Sequence, residues 1–142
     1  MVERTIQIAA PPEAIYDVVM DPERLGDWVT IHHELEKAPA GKLRKGSRLT
    51  QSLKLAGRRF RVNWTVVEND PGRVVWEGRG PVASRARVEY GFSPNGKGTR
   101  FSYSNEYELP GGPLGKIAGR AVAKVTEKEL ESSLRRLRSL LE

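Results

Sequence analysis

The sequence predicts an α+β fold in which a curved seven-stranded antiparallel sheet wraps a long C-terminal helix, with two short helices after the first strand. Three observations predict it. Residues 114–142 carry Leu114, Ile117, Ala118, Ala121, Val122 and Val125, then Leu130, Leu134, Leu137 and Leu141, at helical spacing, so one apolar stripe runs the whole segment. Between residues 31 and 109 the apolar positions recur every second residue instead, and eight of the ten aromatic residues fall on that parity. The breaks between these alternating runs have the length of turns. Consecutive strands are therefore antiparallel neighbours, because a parallel pair needs a crossover of about a dozen residues or more.

Each element has its own signal. Arg4 to Ala9 alternates with Ile6 and Ile8 on one face and stops at Pro11-Pro12, where a proline suits the first turn of a helix. The helix from Pro12 to Met20 places Ile15, Val18 and Val19 on one side. Asp21-Pro22-Glu23 restarts the chain with an N-cap, a first-turn proline and a first-turn acid, and this second short helix ends near Gly26-Asp27-Trp28. Ile31, His33 and Leu35 share a face before the loop Ala38-Pro39-Ala40-Gly41; Leu49, Gln51, Leu53 and Leu55 share another before the tight Ala56-Gly57 turn. Phe60, Val62, Trp64 and Val66 lead to Asn69-Asp70-Pro71-Gly72, and Val74 and Trp76 lead to Gly80-Pro81. Ala86, Val88, Tyr90 and Phe92 run to the Pro94-Asn95-Gly96 turn, after which Phe101, Tyr103, Asn105, Tyr107 and Leu109 complete the set.

One sheet face is therefore aromatic and buried, while the other parity, with Arg59, Arg61, Asn63, Glu77, Arg79, Arg85, Arg87, Glu89 and Glu106, is made for water. The helix stripe is small-residued in its first half and leucine-rich in its second. Small side chains leave room against a concave sheet, which predicts a cavity beside Ala118 and Ala121 and solid core at the other end.

Composition narrows the function classes. The 142 residues make a single domain, 1–142, and one of that size buries roughly 70% of its unfolded surface. The chain has no cysteine, which removes thiol chemistry and thiolate metal sites. The N-terminal run is charged where a signal peptide needs an apolar core, and no stretch reaches the ~18 apolar residues of a membrane span, so a cytoplasmic location is expected. A net charge of +6 raises an anionic partner. The arginines are scattered over an outer sheet face and a helix end, and the aromatic residues lie on the opposite parity, which argues against base stacking. No DNA partner is expected.

With that order established, the segment IQIAAPPEAIYDVVMDPERLGDW resembles the opening of the START-like, or SRPBCC, superfamily, in particular its polyketide cyclase/dehydrase and lipid-transport group. The shared features are the strand, the Ala-Pro at the helix start, the pair Ile15-Tyr16, and the turn from Asp21-Pro22 to Trp28. Relatives often place a proline after that tryptophan, where this chain has Val29-Thr30-Ile31. The resemblance implies a helix-grip (Bet v 1/START-like) fold with an internal cavity for an apolar or aromatic small molecule. Its implied lining is the aromatic sheet face, with Trp64, Trp76, Tyr90 and Tyr103, together with Leu114, Ile117, Ala118, Ala121 and Val122 of the helix, and Trp28 by the entrance.

Few inward residues offer chemistry. A cyclase or dehydratase needs a positioned acid or base, and alternation allows only one of the adjacent histidines to face inward. His33, on the face of Leu35, is the candidate, both as a base and as a ligand contact. Gln51 and Asn105 are inward amides that need a partner, supplied by a ligand, a tyrosine or a water. The cluster His32, Glu34 and Glu36 is weak for a metal, and no phosphate-binding glycine loop or nucleophile elbow occurs, so neither metal nor cofactor is expected. Three readings stand at this point: binding, presentation or transport of a hydrophobic small molecule such as a lipid, polyketide or aromatic compound; a polyketide cyclase/dehydratase-type enzyme; and a basic interaction module for RNA, the ribosome or an anionic membrane.

Overall fold

The computed structural model describes residues 2–55, 57–81, 84–108 and 113–142, and the side chains of these except residues 55, 58, 107, 108 and 113–123. Strand β1 (Val2–Ile8) is followed by helix α1 (Pro12–Val19), a 3-10 turn (Pro22–Arg24) and the single-turn helix α2 (Leu25–Trp28). Strands β2 (His32–Lys37), β3 (Arg48–Leu55), β4 (Arg58–Asp70), β5 (Arg73–Arg79), β6 (Arg85–Asn95) and β7 (Gly98–Glu108) come next, and helix α3 (Pro113–Leu141) ends the chain. This is the predicted element order.

Local chemistry explains the N-terminal third. Pro12 opens α1 where a missing N–H leaves no bond unmade. The Asp21 carboxylate caps the 3-10 turn by accepting a hydrogen bond from the Glu23 N–H at 3.0 Å. All seven strands form one antiparallel sheet in the order β1-β7-β6-β5-β4-β3-β2. The hairpins account for the run from β2 to β7, and β1 closes onto β7, from Val2 opposite Asn105 to Ile8 opposite Thr99. Gly96 takes φ 63° in the β6–β7 turn, a conformation that costs a side-chain-bearing residue.

The inner face is as apolar as the parity required. Leu49, Leu53, Val62, Trp64, Val66, Val74, Trp76, Val88, Tyr90, Phe92, Phe101 and Tyr103 are all buried, and they meet Ile15, Val18 and Val19 of α1 and Leu130, Leu134 and Leu137 of α3. Leu43, in the β2–β3 connection, joins this core by donating its N–H to the Met20 carbonyl at 2.9 Å. Polar links seat α3: the Arg4 guanidinium pairs with Glu131 at 3.1 Å, and the Ala9 N–H donates to the Glu142 carboxylate at 3.0 Å. Among the described residues no helix is long and apolar enough to cross a membrane.

On the outer face, three arginines are occupied by carboxylates. Arg61 grips Glu36 through two 2.7 Å hydrogen bonds, Arg73 spans Glu68 and Glu89, and Arg87 spans Glu89 and Glu77. Burial pushes the Glu89 carboxyl up, and the hydrogen bonds from Arg87 and Arg73 outweigh it and hold it below the usual value. Val75, opposite Glu68 and Glu89 in the ladder, is fully buried on this face, because the stems of such long side chains cover apolar surface.

Candidate functional site

A hollow lies where the inner sheet face meets α2. Leu25 of α2, with Val29 and Ile31 just after it, forms one wall; Gln51, Leu53, Trp64, Trp76, Val88, Tyr90, Tyr103 and Asn105 form the other. Strand pairing explains why these residues converge. Asn105 stands opposite Val88 in the β6–β7 ladder, and Val88 stands opposite Trp76 in the β5–β6 ladder, so the three form one row across the sheet. The Trp64 indole lies over Gly78, its cross-strand neighbour, where an added Cβ would fall 2.7 Å from the ring. Glycine here is what lets an indole lie flat against β5.

Rings dominate the wall. Trp76 meets Tyr90 edge-on, with centroids 5.6 Å apart and planes at 81°, and Tyr90 contacts Tyr103 at 5.4 Å. Trp28 packs behind them, 5.9 Å from Tyr90 and 5.3 Å from Tyr103.

The polar groups fall into two sets. In the first, the Trp64 Nε1–H donates to Gln51 Oε1 at 3.0 Å, and Gln51 Nε2 donates to His32 Nδ1 at 2.8 Å. Since Nδ1 accepts, His32 is the neutral tautomer protonated on Nε2. Burial, and then the neighbouring His33, hold its imidazole below the ordinary value. In the second set, burial drives the Tyr103 hydroxyl up to about 12 against a hydrogen bond from Asn105, so it stays neutral. Among the described residues, Asn105 Oδ1 and the Nε1 atoms of Trp76 and Trp28 are buried without a hydrogen-bond partner, as is Thr126 Oγ1 on α3.

Beside the hollow, a polar seam joins the segment after α2 to α3. The Thr30 N–H donates to Ser133 Oγ at 3.1 Å, and the Thr30 hydroxyl donates to the Glu129 carboxylate. Burial raises the Glu129 carboxyl, opposed by Arg136.

The hollow holds about 20 Å³, room for one water, against about 150 Å³ for a cavity that takes benzene. The side chains of Leu114, Ile117, Ala118, Ala121 and Val122, on which the expectation of a cavity rested, lie outside the described ones.

Comparison with known proteins settles the family. The family described as polyketide cyclase/dehydrase and lipid transport matches residues 1–142. The chain belongs to that family. Among curated relatives, the uncharacterised protein Rv1546 of Mycobacterium tuberculosis is 30% identical over 135 residues, covering 92% of this chain and 93% of its own. The protein of the same organism called toxin Rv0910 is 24% identical over 131 residues, covering 90% and 91%. Among solved structures, TTHA0849 from Thermus thermophilus superposes with a TM-score of 0.80 at 24% identity, over 97% of this chain and 94% of that one.

Against this family's expected pocket, the structure brings together Gln51, Trp64, Trp76, Tyr90, Tyr103 and Asn105. Two expectations need correction. Trp28 is completely buried behind the tyrosines and not at an entrance, because α2 turns its indole into the core. His33 is exposed, and His32 is the one that reaches Gln51. A register shift between His32 and Glu34 is the cause: the extra residue breaks the alternation that had put His33 beside Leu35. The base on which a cyclase or dehydratase reading rested therefore faces solvent. Nor do the metal candidates gather, since Glu36 is held by Arg61 and His32 by Gln51. Leu25, Val29, Ile31, Leu53 and Val88 complete the lining unannounced.

Proposed function

We propose that this protein binds a hydrophobic small molecule between the inner sheet face and α3. The supporting observation is the hollow on that sheet face beside α2, walled by indole and phenol rings with buried polar atoms left without partners among the described residues, in a family described by polyketide cyclisation and lipid transport. Large flat rings supply apolar contact at low entropic cost, and their polar tips orient what they hold. Since the described hollow has room for one water, a larger ligand takes its place by moving side chains. Native mass spectrometry and solvent extraction of the purified protein test this, together with titration of an apolar fluorescent probe. A one-to-one adduct or saturable uptake is the expected result. Protein that carries nothing and takes up no probe would sink the reading.

A further inference from the structure

Resting on the proposed small-molecule site, we infer that the ligand presents a neutral hydroxyl to the hollow, where it accepts from Trp76 Nε1–H and donates to Asn105 Oδ1.

The argument is one of complementarity. Trp76 and Asn105 stand in one row on either side of Val88 and line the same hollow, and each is about 2% to 4% exposed with one polar atom unpartnered among the described residues. One atom is an obligate donor and the other an acceptor. Of the Asn105 amide, Oδ1 is the atom buried without a hydrogen-bond partner among the described residues. A ligand group that completes both must accept and donate at once.

That requirement discriminates among ligand chemistries. A carbonyl satisfies Trp76 and leaves Asn105 Oδ1 unpaired. An ammonium satisfies Asn105 and leaves the indole unpaired. A carboxylate sets its charge against Asn105 Oδ1 in a site where, among the described residues, no cationic side chain lines the wall. A hydroxyl does both jobs, and its oxygen has the size of the water for which the hollow has room. Gln51, the other amide of the lining, is already committed to Trp64 and His32.

Three probes of matched ring system test the inference: 2-naphthol, 2-methylnaphthalene and 2-naphthoate. Their affinities are measured by isothermal titration, and the indole N–H resonance of Trp76 is followed by NMR, assigned through Trp76→Phe. A hydroxyl that makes both bonds is expected to favour 2-naphthol over 2-methylnaphthalene about tenfold, with 2-naphthoate weakest. The Trp76 resonance should move downfield with 2-naphthol and not with 2-methylnaphthalene. In Trp76→Phe and in Asn105→Leu the preference should shrink to within about threefold while 2-methylnaphthalene still binds. If either variant fails to fold, the three affinities of the unmodified protein decide alone.

Equal affinity for the naphthol and the methyl compound overturns the inference and leaves the binding function standing, with the two polar atoms then answered by a structural water. Tighter binding of the carboxylate overturns it too, as does failure of all three probes on protein that takes up the fluorescent probe. Failure of all three together with no uptake removes both proposals.

Discussion

Gln51 joins two side chains that would otherwise have nothing to do with each other, accepting from the Trp64 indole and donating to the His32 ring while only 3% exposed. Gln51→Leu should leave the buried Trp64 N–H unpaired, and such a loss costs about 1–3 kcal/mol. A urea titration reads it as a lower midpoint with an unchanged slope. The pH dependence follows from the same link. The folded protein holds His32 below its ordinary 6.5, so as pH falls the unfolded chain takes up the proton first. Stability is therefore full above 6.5, declines as pH drops towards the lower folded value, and levels off beneath it. His32→Asn should flatten that part of the stability curve relative to the unmodified protein, and identical slopes would contradict it. Residue identity alone gave Gln51 and Asn105 as inward amides. The choice between His32 and His33 was invisible, because a one-residue register shift leaves no mark on the alternation.

At the scale of elements, the site depends on how closely β4 can lie against β5. Gly78→Ala places a Cβ 2.7 Å from both the Trp64 ring and Val62 Cγ1. Trp64 cannot swing aside without losing Gln51, so the substitution should destabilise by about 1–3 kcal/mol, the usual cost of overpacking. Denaturant unfolding measures it, and a variant as stable as the parent would show that the indole has freedom to move. The strands themselves were legible because their period is two and their turns are marked by glycine, proline and asparagine. Gly78 was not, since a glycine inside a strand signals a close approach without saying what approaches. Leu43 escaped for a similar reason: it sits in a polar connection, and only its hydrogen bond to Met20 carries it into the core.

Across the whole molecule, the first strand ties the two ends of the chain together. β1 covers the edge of β7 from Thr99 to Asn105, and Arg4 and Ala9 reach Glu131 on α3 and Glu142 just past its end. Deleting residues 1–10 should uncover the β7 edge and the base of α3 at once, giving aggregated or molten protein by gel filtration and near-ultraviolet circular dichroism. A soluble variant with the parent's near-ultraviolet spectrum would place the organising contacts elsewhere. Periodicity and turn chemistry alone determined the element order, the buried aromatic face and the leucine-packed end of α3, since these follow from which side chains water rejects at spacings of two and 3.6 residues. Tertiary structure decided what no spacing encodes: that Trp28 turns into the core, that His32 displaces His33, and that Trp76 and Asn105 meet one hollow with a donor and an acceptor unanswered. Those outcomes depend on ladder register and on contacts between residues far apart in the chain, and such contacts exist only once the sheet has closed around the helix.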